Sequence, residues 1–251
     1  MIRVCKMQKE LIMSGLPEKM RIYLAATKPL TDSGLFAQGL SLVSNERREK
    51  VLRYRFMKDQ RLSLGAGLLL EFALAEYGFP AGISLSYGPY GKPFLPGEDL
   101  CFSLSHSGEY VMLAAGRRKC GCDLEQIETA NLDIARRFFH PAEYRQLCEA
   151  PSEKRNHLFY RFWTLKESYM KMTGEGFHLS PSDFRIGIGE EDIFLERGGI
   201  YEACHFAELS LLPSYCCSVC TEGTLPEPNV KSLDLRSVIR QLAKNRQKTD
   251  L

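Results

Sequence analysis

The sequence predicts an α+β fold, because each half of the chain shows helical patterns first and a run of strands afterwards. A parallel α/β sheet would instead alternate single strands with helices along the chain. The 251 residues, of which 44% are hydrophobic and 25% charged, suit a globular protein with one large domain or two small ones. We place the boundary between the halves at Lys119, the last residue of a basic turn.

The first half covers residues 21–119 and follows a polar extension at residues 1–20. Its clearest helix carries Leu64, Leu68 and Phe72 at a spacing of four, which places the three side chains on one face. The predicted elements are, in order, a strand at 21–27, a charged helical segment at 44–61, the helix that ends at Gly78, a loop at 82–99, and strands at 100–105 and 110–116.

The second half covers residues 120–221 and precedes a tail at residues 222–251. Its strongest feature is a helix over about 153–173, in which apolar residues recur at spacings of 4, 3, 4 and 3 and form one stripe. The stripe consists of Leu158, Phe162, Leu165, Tyr169 and Met172. The other predicted elements are a strand at 120–125, helices at 131–139 and 141–150, strands at 184–189, 200–212 and 215–221, and a basic helix at 231–248.

The composition excludes several classes of protein. Apolar runs are a few residues long, whereas a membrane helix needs about 20, and the first twenty residues do not form a secretory signal. The nine cysteines are interpreted as free thiols in a reducing cytoplasm, where they pack as small hydrophobic residues. A nucleic-acid-binding protein would be more basic than the net charge of +2.

Charge is distributed unevenly between the halves. Residues 1–119 carry six more cationic than anionic side chains, and residues 120–251 carry four fewer. This asymmetry suits an anionic ligand that lies between phosphate-binding cations and metal-binding carboxylates, although accidental surface charge explains it as well.

Two carboxylates lie near the end of the strand with which the second half begins. Asp123 and Glu125 are two residues apart, so they project from the same side of that strand. Carboxylates this close repel each other unless a cation lies between them, and oxygen ligands of this kind favour Mg²⁺. A solvated strand end is the alternative.

A third acid lies on the long helix. Trp163, Glu167 and Lys171 are four residues apart and therefore line one ridge beside the apolar stripe. Glu167 and Lys171 are placed to reach into a cleft. The alternative is a solvated Glu–Lys pair, which stabilises a helix by a few tenths of a kcal/mol.

Several cations are candidates for binding phosphate. Lys92 lies beside Pro93 in a loop, and His106 lies where a strand enters a turn. In the basic run at 46–61, Arg47, Lys50 and Arg61 share a helical face if the helix there is unbroken. The cysteine clusters at 120–122 and 216–220 have poor spacing for zinc, so we expect them to pack in the core.

Together these motifs resemble the surfactin-synthetase-associated type of 4′-phosphopantetheinyl transferase. The resemblance covers roughly residues 21–221. It is carried by the stretches GKPFLP (91–96), FSLSHSG (102–108), GCDLEQI (121–127), RFFHPAEY (137–144) and FWTLKESYMKMTGEGF (162–177), and more weakly by residues 46–61.

The resemblance implies a pseudo-duplicated fold of two α+β halves, each a small antiparallel sheet packed with helices. It implies transfer of the phosphopantetheine arm of coenzyme A to a serine of an apo acyl or peptidyl carrier protein, with Mg²⁺ (or Mn²⁺) required. The implied roles are metal binding by Asp123, Glu125 and Glu167, pyrophosphate binding by Lys171, coenzyme phosphate binding by Lys92, Ser105 and His106, and binding of its 3′-phosphate end by Arg47, Lys50 and Arg61.

The base that accepts the serine proton is left open between Glu167, Glu143 and a metal-bound water. We expect a cytoplasmic monomer that binds neither nucleic acid nor membrane. The competing hypotheses are a Mg²⁺-dependent nucleotide or coenzyme A pyrophosphatase and a non-catalytic module that binds coenzyme A or a carrier protein.

Overall fold

The computed structural model describes residues 20–190, 192–223 and 228–249, so the predicted extension at 1–20 lies almost wholly outside the described residues. The α+β prediction is confirmed. The described helices are α1 (Ser33–Leu42), α2 (Asn45–Arg53), α3 (Met57–Glu76), α4 (Leu132–Phe138), α5 (Pro141–Glu149), α6 (Ser152–Thr173) and α7 (Leu235–Thr249), with short 3₁₀ turns at Lys28–Thr31, Gly176–His178 and Pro181–Asp183.

The described strands are short, with two to eight residues each. They are β1 (Arg21–Ala26), β2 (Ser86–Tyr87), β3 (Pro93–Phe94), β4 (Cys101–Ser107), β5 (Tyr110–Gly116), β6 (Cys120–Gln126), β7 (Phe184–Ile188), β8 (Ile193–Arg197), β9 (Ile200–Tyr201), β10 (Cys204–Glu208), β11 (Tyr215–Glu222) and β12 (Asn229–Leu233). None of the helices in the described part of the chain is both long enough and apolar enough to cross a membrane.

The chain folds into two compact units that are each discontinuous in sequence. Among the described residues, the first unit consists of 20–84, 109–117 and 228–249, and the second of 85–108 and 118–223. The units therefore differ from the contiguous halves 21–119 and 120–221. The loop and strand at 85–108 belong with the second half, and the C-terminal segment belongs with the first.

In the first unit, β1 lies between β5, its antiparallel partner, and β12, its parallel partner. The sequence of β1 is almost wholly apolar because its central residues are buried. The C-terminal segment returns to this sheet through β12, and α7 packs against α1 and α3. The sequence predicted α7 but not β12.

The charged segment at 44–61 is not one helix. Ser44 caps α2 by accepting a hydrogen bond from the backbone N–H of Arg47, and α2 ends at Arg53. Tyr54 and Phe56 have extended backbones, and α3 starts afresh at Met57. The condition on which a shared helical face depended, an unbroken helix, is therefore not met, because extended residues interrupt the ladder of helical hydrogen bonds.

The second unit is built on the antiparallel sheet β10–β11–β6, against which α6 packs. Phe162, Leu165 and Tyr169 of the predicted stripe are buried in its core, which confirms the 4-3-4-3 pattern. The backbones of β6 and α6 approach so closely that a Cβ on Gly121 would lie 1.9 Å from the carbonyl oxygen of Ser168. Only glycine permits this contact.

Smaller elements complete the second unit. The strands β7, β8 and β9 form an antiparallel sheet, and β2 pairs with β3. All eight cysteines in the described part of the chain are free thiols, and five of them are buried. Both clusters at 120–122 and 216–220 consist of buried cysteines, in agreement with the expected packing role, whereas Cys148 is exposed.

Candidate functional site

The candidate site begins with a ladder of serine hydroxyls between β4 and β6. The hydroxyls of Ser103, Ser105 and Ser107 accept hydrogen bonds from the backbone N–H groups of Cys122, Leu124 and Gln126, at 3.0, 3.2 and 3.1 Å. The serines alternate along β4, so all three project from the same side. Side-chain hydroxyls thus fix the position of β6 against β4.

The same ladder holds the two carboxylates of β6. Ser105 donates to Oδ1 of Asp123 at 2.7 Å, and Ser107 donates to Oε2 of Glu125 at 2.6 Å. The prediction that Asp123 and Glu125 lie on one side of their strand is therefore confirmed. Asp123 is buried, with 2% of its surface exposed, whereas Glu125 is half-buried.

A lysine from α6 completes the arrangement around Asp123. The Nζ of Lys171 lies 2.6 Å from Oδ1 of Asp123 and donates to the Ser105 hydroxyl at 3.1 Å. The other carboxylate oxygen of Asp123, Oδ2, is buried and has no hydrogen-bond partner. A buried carboxylate oxygen without a partner is costly, so this atom is suited to a ligand.

The charges of the site act on one another. Burial and the charge of Asp123 raise the pKa of Glu125 to about 7, against the hydrogen bond from Ser107. Burial and Asp123 likewise raise the pKa of Glu167 to about 7, against the charge of Lys171. Burial lowers the pKa of Lys171, but Asp123 outweighs it and the net shift is upward. The cluster thus carries more negative charge than its single cation balances.

Asp123, Glu125 and Glu167 do not form a ready-made metal site. Among the described residues, no group of three His, Cys, Asp or Glu side chains has the geometry of a metal site. Asp123, Glu125 and Glu167 are near enough to perturb one another, but Lys171 occupies the Asp123 oxygen that faces it. Their assignment as metal ligands stays a proposal.

The candidate phosphate ligands of the second unit differ in their hydrogen bonds and in their exposure. The Ser105 hydroxyl is fully occupied by Asp123, Lys171 and the Leu124 N–H. His106 is exposed. The Nζ of Lys92 donates to two backbone carbonyls instead of projecting into solvent. The expected roles of Ser105, His106 and Lys92 in holding phosphate stay predictions.

A cavity of about 220 Å³ lies beside Lys171. It is lined by Tyr90, Gly91, Lys92, Pro93, Phe102, Ser103, Leu104, Met170, Lys171, Gly174 and Gly176. Sites for whole small-molecule ligands measure about 300–1,000 Å³, so this cavity has room for part of such a ligand.

The remaining predicted cations belong to the first unit. Arg47 and Lys50 lie on α2, and Arg61 lies on α3. The break at residues 54–56 separates Arg61 from the helix that carries the other two. The shared helical face predicted for them is wrong, and their role as coenzyme ligands stays a proposal.

Glu143 has a structural role. It lies at the third position of α5, where its Oε2 accepts from the backbone N–H of His140 in a capping box. Its Oε1 accepts from the N–H of Ile186, and Lys166 forms a salt bridge with it at 2.9 Å. Glu143 is 1% exposed and both of its carboxylate oxygens have partners, which disfavours the catalytic role that the sequence left open for it.

Sequence reasoning missed two contributors to the site. Ser107 and Ser103 anchor β6 and the Glu125 carboxylate. The signal was the alternation of serines in the stretch at 103–107. A period of two shows that hydroxyls share a side, but it does not reveal which strand they face.

Comparison with known proteins gives a consistent result over both halves. Residues 28–118 match the family model described as 4′-phosphopantetheinyl transferase, N-terminal, and residues 119–220 match that of the 4′-phosphopantetheinyl transferase superfamily. The two matches meet between residues 118 and 119.

Three curated relatives are similar over most of their length. A 4′-phosphopantetheinyl transferase of Bacillus subtilis is 32% identical over 206 residues, which cover 80% of this chain and 92% of the relative. The transferase psf-1 of Bacillus pumilus is 32% identical over 230 residues, covering 89% and 99%. The transferase Sfp of Bacillus subtilis (strain 168) is 31% identical over 185 residues, covering 72% and 83%.

Proposed function

The chain belongs to the 4′-phosphopantetheinyl transferase family, and from this premise we propose how its acidic cluster serves the reaction. The enzyme transfers the phosphopantetheine arm of coenzyme A to a serine of an apo carrier protein. Adenosine 3′,5′-bisphosphate leaves. The observation that carries the proposal is the buried Asp123 carboxylate, which binds Lys171 through one oxygen and leaves the other without a partner.

The reaction makes two demands on the site. The serine oxygen attacks the phosphorus that carries the pantetheine arm, and the bond from that phosphorus to the bridging oxygen of the diphosphate breaks. Negative charge accumulates on the departing phosphate, and the serine loses its proton. Positioned cations and a proton acceptor supply most of the catalysis in such phosphoryl transfers.

The residues present fit a hard divalent cation. Asp123, Glu125 and Glu167 offer only carboxylate oxygens, which Mg²⁺ and Mn²⁺ prefer, and Oδ2 of Asp123 has no other partner. Burial first, and then the charge of Asp123, raise the pKa values of Glu125 and Glu167 to about 7, and a bound cation would offset both effects. When bound there, the cation supplies charge neutralisation at the diphosphate.

Lys171 is the cation that this chain itself supplies. Its position against Asp123 places a fixed positive charge beside the cavity lined by Lys92, Met170 and Gly174. Lys171 is thereby suited to bind the diphosphate and to stabilise the departing phosphate. The exposed imidazole of His106, on the neighbouring strand, is proposed to donate to a coenzyme phosphate.

Glu167 is the proposed base. A proton acceptor must lie within reach of the proton that it takes, and Glu167 is close enough to Asp123 and Lys171 for their charges to act on it. Glu167 lies one helical turn before Lys171 on the same ridge of α6. It therefore accepts the serine proton directly or orients a water that does so.

The direct test is to incubate the protein with coenzyme A, Mg²⁺ and an apo carrier protein and to weigh the carrier. We expect the carrier to gain one phosphopantetheine group. The variants Asp123→Asn and Glu167→Gln should lower kcat by at least about 100-fold, a loss typical of removing a group that stabilises the transition state. Glu149→Gln, an exposed acid on α5, is the matched control.

Circular dichroism of each variant shows whether its fold is retained. Unchanged turnover in a folded Asp123→Asn and a folded Glu167→Gln would contradict the assignment of these acids. Hydrolysis of coenzyme A with no carrier present, and no gain of mass on any carrier, would contradict the transfer itself. A monomeric state, a cytoplasmic location and the roles of Arg47, Lys50 and Arg61 stay predictions.

A further inference from the structure

Lys92 lies in the hairpin turn between β2 and β3 and is bound to backbone rather than displayed. Its Nζ donates to the carbonyl oxygen of Cys120 at 3.1 Å and to that of Met172 at 3.0 Å. The turn itself is closed by a hydrogen bond from the N–H of Gly88 to the carbonyl of Lys92. Burial lowers the pKa of the ammonium group. The aliphatic chain passes against Gly174, where an added Cβ would lie 3.1 Å from Cδ of Lys92.

The two carbonyls belong to the elements that carry the acidic cluster. Cys120 is the first residue of β6, three positions before Asp123, and Met172 follows Lys171 in the last turn of α6. The carbonyls of a last helical turn lack N–H donors within the helix, so a cation there is favourable. One ammonium group therefore joins the start of β6 to the end of α6.

The contact between β6 and α6 is close, and the bond from Lys171 to Asp123 crosses it in the middle of β6. Gly121 packs its backbone directly on the carbonyl of Ser168, which fixes how close the two elements lie. Packing of this kind opposes the separation of β6 from α6 more than it opposes a shift of β6 along α6. Lys92 supplies the directional bonds at the end of the contact, and sliding would change the distance from Asp123 to Lys171.

We propose that Lys92 is a positioning residue that sets the register of β6 against α6 and thereby holds the Asp123 carboxylate opposite Lys171 and Glu167. This inference rests on the proposed function of the acidic cluster. It differs from the role that the resemblance implies for Lys92, in which the ammonium group binds a phosphate of coenzyme A. In the proposed role, Lys92 acts on the acids through backbone and does not touch the substrate.

The two roles make opposite predictions about Lys92→Met. If Lys92 positions the acids, the variant binds Mn²⁺ about tenfold more weakly in the absence of coenzyme A, as is typical when the support of a metal ligand is lost. Its kcat falls by a similar factor, and its KM for coenzyme A changes less than threefold. If Lys92 is a phosphate ligand, Mn²⁺ binding without coenzyme A is unchanged and the KM for coenzyme A rises.

The experiment measures Mn²⁺ binding by electron paramagnetic resonance and steady-state kinetics on the full chain. Lys119→Met is the matched control, because Lys119 adjoins Cys120 and carries the same charge on an exposed side chain. Lys92→Arg, which restores donors to both carbonyls, should recover most of the Mn²⁺ affinity. Lys92→Gln is the milder change should Lys92→Met fail to fold, with losses of about threefold in the same direction.

The outcomes separate the inference from the function on which it rests. Wild-type protein that neither binds Mn²⁺ nor modifies a carrier would overturn the proposed function before any variant is compared. Wild-type activity combined with unaltered Mn²⁺ affinity in Lys92→Met or Lys92→Gln would overturn the positioning role alone. Weakened Mn²⁺ binding with a preserved KM for coenzyme A supports it.

Discussion

The salt bridge between Glu143 and Lys166 supports a quantitative prediction. Lys166 is 2% exposed, and its Nζ lies 2.9 Å from Oε2 of Glu143 and 2.8 Å from each of the carbonyls of Pro181 and Phe184. The variant Lys166→Met removes the cation that, among the described residues, pairs with the buried carboxylate. Breaking one side of a buried ion pair costs about 3–5 kcal/mol, because the other charge is left uncompensated.

The partners of Glu143 determine how much stability each single variant loses. In Glu143→Gln the amide keeps an oxygen for the N–H of Ile186, but Lys166 loses its counter-ion. We therefore expect Glu143→Gln to be destabilising as well. The double variant should cost less than the sum of the two single variants by about 1–3 kcal/mol, since each removes the same interaction.

Tryptophan fluorescence during urea unfolding measures these differences. Trp163 is the only tryptophan of the chain and stacks on Phe159, with ring centroids 6.1 Å apart, on the helix that carries Lys166. Its emission therefore reports on the second unit. Lys154→Met, an exposed lysine of the same helix, is the control and should change stability by less than about 0.5 kcal/mol.

Two results would refute this reasoning. A loss below about 1 kcal/mol in Lys166→Met would show that the pair is not a buried, fully bonded network. A Glu143→Gln variant of normal stability that has lost turnover would restore Glu143 as a catalytic base. We expect instead that each folded molecule of Glu143→Gln retains turnover.

Two further predictions concern other contacts. Burial raises the pKa of Glu76, but hydrogen bonds from Lys231 and Tyr23 outweigh it and the net shift is downward. The charged carboxylate of Glu76 therefore stabilises the fold above its pKa in the unfolded chain, and this contribution is lost as the pH falls through its pKa in the folded protein. Glu76→Gln should lower the free energy of unfolding by about 1 kcal/mol at pH 7 and leave it unchanged in strong acid, as measured by urea unfolding. Gly121→Ala should prevent folding of the second unit, because its Cβ would overlap the carbonyl of Ser168; the Trp163 emission spectrum tests this.

Matched variants serve as controls for both predictions. Glu49→Gln changes an exposed acid of the first unit and should show no loss at either pH. A cost of Glu76→Gln that is equal at every pH would contradict the assigned charge. Gly88→Ala meets only an ordinary contact at 3.6 Å. If Gly121→Ala folded as well as Gly88→Ala, the close approach of β6 and α6 would be disproved.

Sequence periodicity by itself determined the main elements and part of the site. The spacing of apolar residues in the helix at 152–173 indicated both its extent and its buried face, because residues three and four apart lie on the same side of a helix. The two-residue spacing of Asp123 and Glu125 placed them on one side of a strand. Each of these results depends on local geometry alone.

Only the tertiary structure decided which partners these residues meet. The spacing of Lys92, Ser105 and Glu143 gave no indication that their polar atoms bond to distant backbone and to Asp123 or Lys166. Short strands carry weak local signals, so the sequence did not predict β12. For the same reason it did not predict that the C-terminal segment returns to the sheet of the first unit. Periodicity reports which side of an element a residue occupies, whereas hydrogen-bond partners are set by contacts between segments far apart in the chain.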